Sequence, residues 1–221
     1  MGATASSADK RKEARVLVLG LNGSGKTSIL ERLRINKFVP VDPTIGWNYD
    51  QVQRRGVTIH MWEYRGGCIP RIWQLYLSQL MGGIQRPEMD PSTSSSSSGI
   101  DALVFVVDSE DAERIEEARE ILHATLNDVL VQNVRVLLVL ANKQDLTQVM
   151  DPDDIEHRLG LTKYHLIRDA VRSAHSRIPV RWFVRVVPCS AVTGKGLEEG
   201  MDYLVRHIKI VNNEAPLPTI S

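Results

Sequence analysis

The sequence predicts an α/β fold with a mostly parallel central sheet that is covered by helices on both faces. Three apolar runs, 15–19, 103–107 and 134–140, are typical of strands that are buried on both sides. A glycine-rich turn follows the first run, and helical periodicity follows the strands. Strands that alternate with helices favour a parallel sheet, because each helix covers the sheet that its flanking strands build.

The other elements follow from local patterns along the chain. Helical periodicity predicts helices over about 26–35, 71–80, 163–176 and 197–210. Ser109 is the expected N-cap of a further helix that runs to about residue 129. Residues 48–54 and 57–62, joined by a turn at Arg55-Gly56, predict a hairpin, and a last strand is predicted at 182–187.

Length and composition favour one domain with insertions. The chain has 221 residues, and its apolar content of 43% is enough to build a core. We predict a flexible N-terminal arm over 1–13, a core domain over 14–212 and a C-terminal tail over 213–221. The segments around 82–99, which holds a run of five serines, and around 163–181 are predicted insertions.

Charge and cysteine content argue against several classes of protein. The 27 basic residues are balanced by 27 acidic ones, so we expect no nucleic-acid partner. No apolar run reaches the roughly 18 residues of a membrane-spanning helix, and we expect no signal peptide. Two cysteines, Cys68 and Cys189, do not make a disulfide framework, which favours a reducing, cytoplasmic setting.

The segment 20–27 fits G-x-x-x-x-G-K-S/T, between a predicted strand and a predicted helix. Glycines let backbone N–H groups turn toward phosphate oxygens, Lys26 would bridge the outer phosphates, and the Thr27 hydroxyl would bind Mg²⁺. The alternative is a glycine-rich turn that only caps the helix. The match at four specified positions between a strand and a helix argues against it. The predicted nucleotide-binding residues here are Gly20, Leu21, Asn22, Gly23, Ser24, Gly25, Lys26, Thr27 and Ser28.

A second polar loop, 142–145, indicates which base is bound. Asp145 could accept from both N1–H and the exocyclic amine of guanine, a donor pair that adenine lacks. Asn142 would brace the loop, and the aliphatic stem of Lys143 could lie over the base. A backbone N–H at Ser190-Ala191 could meet guanine O6. Any of these alone could be a plain strand-end loop; together they favour guanine.

Five further features occur in order along the chain. They are Pro43-Thr-Ile-Gly46, Trp62, Val106-Val-Asp-Ser109, Ala141-Asn-Lys-Gln-Asp145 and Cys189-Ser-Ala-Val-Thr-Gly194. With the phosphate loop, they make the chain resemble a divergent member of the Arf and Arf-like (ADP-ribosylation factor) family of small GTPases, over about 14–212. The resemblance implies a P-loop NTPase (small GTPase) fold, so that 14–212 is a G domain, and the cofactors GTP or GDP and Mg²⁺.

The resemblance also implies roles for particular residues. Thr44 would be the second protein ligand of Mg²⁺, beside Thr27, and would sense the γ-phosphate. Gly66 would offer its N–H to that phosphate. Lys26, Thr44 and Gly66 are therefore the catalytic positions that the family pattern assigns.

The family pattern breaks at 63–67. The family's D-x-x-G appears as Glu63-Tyr-Arg-Gly66, and Gly67 stands where the family carries the glutamine that orients the attacking water. Glu63 is one methylene longer than aspartate, which leaves its support of Mg²⁺ open. Arg65 could reach the phosphates as an internal cation or be a solvated surface residue. We expect GTP hydrolysis to be slow or to depend on a partner.

Surfaces outside the nucleotide site suggest partners. The resemblance implies that Trp47, Trp62 and Tyr76 dock effectors, although these rings could simply be core. Gly2 begins a segment that fits an N-myristoylation signal, against the alternative of an unmodified terminus. The arm lacks bulky apolar residues, and one myristoyl chain alone binds membranes only reversibly. The basic helix near 163–181 could be a partner or membrane surface, or a solvated face.

These observations favour a GTP-binding switch that recruits effectors in membrane trafficking or signalling. Effectors, an exchange factor and a GTPase-activating protein are the expected partners, and we expect a cytoplasmic protein that is partly associated with the Golgi or another endomembrane. The alternative is a non-hydrolysing GTP-binding interaction module, which Glu63 and Gly67 support. A P-loop nucleotide kinase is a third class, and the motif 142–145 argues against it.

Overall fold

The computed structural model describes residues 13–40, 46–65, 100–128, 131, 134–162, 164 and 182–213. These residues form six strands and four helices. In chain order they are β1 Glu13–Leu19, α1 Lys26–Ile35, β2 Gly46–Arg54, β3 Val57–Arg65, β4 Ala102–Asp108, α2 Ile115–Leu126, β5 Val136–Asn142, α3 Pro152–Arg158, β6 Phe183–Pro188 and α4 Leu197–Asn213.

All six strands belong to one sheet in the order β2-β3-β1-β4-β5-β6. Strand β2 runs antiparallel to β3, and the other four neighbouring pairs are parallel. The carboxyl ends of β1, β3, β4, β5 and β6 therefore lie at one edge of the sheet. The chain winds to both sides of β1, and the carboxyl edge at such a switch point is where open α/β sheets bind ligands.

Two hydrophobic cores lie on opposite faces of the sheet. On β5, Leu138 and Leu140 pack into the core that α1 and α4 cover, whereas Leu137 and Val139 pack into the core that α2 and α3 cover. Every residue of β5 is buried, because both faces of a parallel sheet are covered. This explains why the apolar runs of the sequence are continuous rather than alternating.

The β2–β3 hairpin is tied to the C-terminal helix. Arg55 and Gly56 both have positive φ (49° and 72°), as the two central residues of a tight hairpin turn require. Arg55 pairs with Asp202, and Arg54 pairs with Glu198 at 2.6 Å. The Lys209 ammonium donates to the backbone oxygen of Arg55 at 3.0 Å. The turn that the sequence predicts is thus present and is held against α4.

One prediction of local structure was wrong, and one helix was missed. Ser109 does not cap a helix: it is fully buried, its N–H donates to the oxygen of Asn142, and α2 begins only at Ile115. Helix α3 was not predicted, although Asp151 caps it by accepting from the N–H of Asp153 and Pro152 opens its first turn.

The mostly parallel α/β sheet is confirmed. Several predicted segments lie wholly or almost wholly outside the described residues, so the domain boundaries stay predictions. They are the arm 1–13 except Glu13, the helices near 71–80 and 163–176, the insertion 82–99 and the tail 213–221 except Asn213. Within the described ranges, no helix is both long enough and apolar enough to cross a bilayer.

Candidate nucleotide-binding site

The loop between β1 and α1 holds a buried ammonium group. The Lys26 side chain is 5% exposed, and its Nζ lies 2.9 Å from the backbone oxygens of both Gly20 and Leu21. The lysine is also the first residue of α1, so its charge lies beside the positive end of the helix dipole. The segment that the sequence assigns to phosphate binding thus forms a closed loop around a cation at a helix N-terminus.

Gly25 sits where no side chain fits. Its φ of 90° lies in the left-handed region, and it forms the N-cap of α1. A Cβ at this position would lie 2.2 Å from Nδ2 of Asn142. The glycine is therefore needed for the backbone conformation and for the close approach of the Asn142 amide.

Asn142 joins the phosphate loop to the loop that follows β6. Its Nδ2 donates to the backbone oxygen of Ser24 at 2.9 Å, and its Oδ1 accepts from the N–H of Ala191 at 3.0 Å. The residue is 2% exposed, so these bonds form away from water. The two contacts give Asn142 the bracing geometry that the sequence predicts.

The residues after Asn142 face the rim of the same site. Lys143 has a φ of 69°, and its ammonium forms an ion pair with Asp108 at the end of β4. The Gln144 side chain donates to Oγ of Ser109 at 2.9 Å. Asp145 is exposed, as a side chain that reads a base must be before the base binds. Asp108 belongs to the motif Val106-Val-Asp-Ser109, but its pairing with Lys143 was not predicted.

The loop after β6 is closed by its own hydrogen bonds. The N–H of Gly194 donates to the oxygen of Ser190 at 2.8 Å, and the N–H of Thr193 donates to Oγ of Ser190 at 3.0 Å. Cys189 precedes this loop, and burial raises the pKa of its thiol to about 12. The Cys189 thiol therefore stays protonated at neutral pH, and it contributes packing rather than chemistry.

A hydroxyl and a carboxylate meet where a metal ion would be needed. The Thr27 hydroxyl donates to Oε1 of Glu63 at 2.5 Å, and Glu63 is 1% exposed. Oε2 of Glu63 also accepts from Nδ2 of Asn48 at 3.4 Å. Because the hydroxyl donates its hydrogen bond to the carboxylate, its oxygen lone pairs remain for a cation, and oxygen ligands suit Mg²⁺. The residues present therefore fit the ion, and the longer Glu63 side chain reaches the position that this arrangement requires.

An arginine that the sequence analysis missed touches the phosphate loop from outside. Both terminal nitrogens of Arg114 lie 3.3 Å from the backbone oxygen of Asn22. Arg114 also forms an ion pair with Asp111, which lowers the pKa of that carboxyl below its usual value. Asp111 and Arg114 are three residues apart, so the sequence could suggest their ion pair. The contact with Asn22, which is 92 residues away, has no such local signal.

A row of three rings lies on the β2–β3 hairpin. The Tyr49 and Trp62 rings are 5.4 Å apart, the His60 and Trp62 rings stack at 6.1 Å, and the Tyr49 hydroxyl lies 2.7 Å from Nδ1 of His60. Trp62 is half-buried and packs partly against the core. Tyr49 and His60 were missed, although the predicted turn at 55–56 places Tyr49 opposite Trp62.

Several predicted residues lie outside this description. Backbone pairing places Trp47 opposite Tyr64 at the open end of the hairpin, but neither side chain is described. Gly2, Thr44, Gly66, Gly67 and Tyr76 lie outside the described residues. The structure thus brings together the phosphate loop, Thr27, Glu63, the 142–145 loop and the 190–191 loop, and their roles remain predictions.

The ADP-ribosylation factor family model matches residues 2–85 and 92–208, which is most of the chain. The chain belongs to the ADP-ribosylation factor (Arf) family. This membership confirms the resemblance, and as the family is one of small GTPases it implies guanine-nucleotide binding and supports a GTP-binding switch.

A solved Arf-like structure has the same fold. It is described as the Arl6 BBS3 small GTPase from Trypanosoma brucei with a bound nucleotide analogue, GppNp. The TM-score is 0.64 at 20% sequence identity, over 90% of this chain and 98% of that one. The small GTPase fold predicted for this Arf-family chain is therefore confirmed.

Removing the Asn142 side chain is expected to destabilise the protein. Asn142→Ala leaves the Ser24 carbonyl and the Ala191 N–H buried and unpaired, at about 1–3 kcal/mol each. We expect the free energy of unfolding to fall by about 2–6 kcal/mol in a urea titration at fixed nucleotide and Mg²⁺ concentration. Asn127→Ala, at an exposed helix end, is the matched control. Equal stability of the two variants would contradict the bracing role.

Proposed function

We propose that the protein is an Arf-like molecular switch that binds GTP or GDP and recruits effectors in its GTP-bound form. The observation that carries the proposal is the pair of hydrogen bonds through which Asn142 holds the phosphate loop beside the loop after β6. The two loops proposed to bind the phosphates and the base are thereby held next to each other, as one nucleotide would require. Membership of the Arf family and the GppNp-bound Arl6 structure support the same proposal.

The phosphate half of the site consists of the loop 20–28. Lys26 would turn from the carbonyls of Gly20 and Leu21 toward the outer phosphates, where its charge is more strongly paired. The backbone N–H groups at the start of α1 add the positive potential of a helix N-terminus. Phosphate binding would also offset the cost of burying this ammonium group.

The base half consists of Lys143, Asp145 and the 190–191 loop. Asp145 would accept from the N1–H and amine of guanine, and the stem of Lys143 would lie over the base while its ammonium stays paired with Asp108. The N–H of Ala191, which donates to Oδ1 of Asn142, would be shared with guanine O6. Adenine offers an amine rather than a carbonyl at that position, so this arrangement selects guanine.

Magnesium would be held by hydroxyl oxygens together with the nucleotide's own phosphates. Thr27 is one proposed ligand and is oriented by its bond to Glu63. Thr44, the other, lies outside the described residues. The bound ion would neutralise negative charge that builds on the phosphate oxygens.

We propose that hydrolysis is slow unless a partner assists it. Lys26 and, by the family pattern, the N–H of Gly66 would stabilise charge on the transferring phosphoryl group. The position that would orient the attacking water is Gly67, which has no side chain. The second candidate, a non-hydrolysing binding module, rests on Gly67 and on Glu63 in place of the family's aspartate. Tryptophan fluorescence that is identical with GDP and with a non-hydrolysable GTP analogue would favour the second candidate.

Effector and membrane contacts complete the proposal. Trp62 and its neighbours Tyr49 and His60 form an aromatic face on β2 and β3, and half-buried aromatic rings are common contact residues for protein partners.

Myristoylation at Gly2 would give reversible attachment to a membrane. The protein would then be divided between the cytoplasm and an endomembrane that serves trafficking or signalling. Mass spectrometry after co-expression with an N-myristoyltransferase tests the modification, and an unmodified Gly2 would remove it.

Asp145→Asn is expected to change base preference. Losing charge-assisted hydrogen bonds to guanine costs about 1.5–3 kcal/mol each, so GTP should bind at least about tenfold more weakly. Xanthosine triphosphate should bind more tightly, because the new amide can donate to the xanthine carbonyl. Asp151→Asn is the control, because asparagine would still cap α3 at that position without facing the base. If wild-type protein binds ATP as well as GTP in a competition titration, the base assignment is wrong.

Intrinsic GTP hydrolysis is expected to be slower than about 10⁻⁴ per second at 25 °C, judged against the Ras-type intrinsic rate of about 4 × 10⁻⁴ per second. The reason is that positioning of the attacking water is lost while binding of the nucleotide is kept. Single-turnover assays with excess protein measure this rate, with nucleotide alone as the blank. A wild-type rate at or above the Ras-type value would mean that another residue orients the water.

A further inference from the structure

A second contact ties the base loop to the phosphate helix. Arg32 lies on α1, and its Nη1 and Nη2 donate to the backbone oxygens of Val192 at 3.0 Å and Thr193 at 2.9 Å. Two nitrogens of one planar guanidinium thus bind two successive carbonyls, a geometry that lysine cannot reproduce. Helix α1 therefore carries Lys26 at its start and a clamp on the base loop further along.

The base loop is shaped to receive the guanidinium. Gly194 has a φ of 82°, and a Cβ there would lie 2.7 Å from Nη2 and 3.0 Å from Nε of Arg32. The glycine is needed because its left-handed backbone turns the loop and because any side chain would displace the arginine. The contact is thus built by both partners, the arginine on α1 and the glycine in the loop.

Without Arg32 the outer part of the loop has few described contacts with other elements of the fold. Asn142 holds the loop at the N–H of Ala191, on the buried side. Val192 is 48% exposed and Thr193 is exposed as well, so their side chains bury little surface that could fix the loop. Thr193 also bonds within the loop, to Ser190 and Lys195. Among the described hydrogen bonds of Val192 and Thr193, those from Arg32 are the ones that join them to another element of the fold.

We propose that Arg32 is a positioning residue for guanine recognition. The clamp fixes the 190–194 loop to α1, so the N–H that meets guanine O6 is held at a set distance from the phosphate site. The residue does not touch the nucleotide in this account; it acts through the loop. The inference rests on the proposed function, because it refines the base half of that site.

The inference predicts faster nucleotide release in Arg32→Ala. We expect GDP to dissociate about threefold to tenfold faster, which corresponds to about 0.7–1.4 kcal/mol at about 1.4 kcal/mol per tenfold change. Arg32→Lys keeps the charge but not the two-point geometry, and its rate should lie between those of Arg32→Ala and the wild type. Arg34→Ala is the matched control: Arg34 lies on the same helix, but it pairs with Glu31 and Asp50. The dissociation rate is measured for the wild type and the three variants by displacing a bound fluorescent GDP with excess GDP.

A second readout separates positioning from general loosening. The diphosphate of 2-aminopurine riboside keeps the amine of guanine but lacks O6. Arg32→Ala should weaken GDP binding by the same threefold to tenfold while leaving the affinity for this analogue nearly unchanged, so that the preference for GDP falls. If Arg32→Ala releases GDP at the wild-type rate, or weakens both nucleotides equally, the inference is wrong. Wild-type protein that does not prefer GDP over ADP would instead refute the proposed function itself.

Discussion

The Asn142 side chain is the interaction on which the site depends, because one amide group connects two loops that are far apart in sequence. Its donor end holds the carbonyl of Ser24 in the phosphate loop, and its acceptor end holds the N–H of Ala191 after β6. Both bonds are buried, so a break leaves polar groups without water. The close packing of Gly25 against the same amide adds a steric limit. Neither loop can therefore move far without the other.

Each of three charged side chains in the site has its own polar partner nearby. The Lys26 ammonium lies with backbone carbonyls, Lys143 is paired with Asp108, and Glu63 accepts the Thr27 hydroxyl. Binding and chemistry make different demands on this arrangement. Binding requires a cation, N–H donors and a carboxylate at the rim, whereas hydrolysis also requires a group that orients water. The residues proposed for binding are present in the sequence, whereas the residue at the position proposed for orienting water is Gly67.

Features that depend on a few neighbouring residues could be predicted from the sequence, whereas long-range contacts could not. Helix α1 and the turn at Arg55-Gly56 were predicted because glycine and periodicity act over a few residues. Ser109 was misread as a helix cap because its hydrogen bonds go to Asn142 and Gln144, which no local pattern reveals. Arg32 was missed for a similar reason. Its partners are backbone oxygens some 160 residues away, and a backbone oxygen leaves no mark in the sequence.

The two loops that Asn142 joins are proposed to form one site for a guanine nucleotide. The most direct measurement is chromatographic identification of the nucleotide that purified wild-type protein releases on denaturation, with the amount compared with that of the protein. We expect GDP or GTP in an amount comparable to the protein, because in their proposed roles Lys26 would hold the phosphates and Asp145 would select guanine. Adenine nucleotides in that amount would contradict a guanine-nucleotide site.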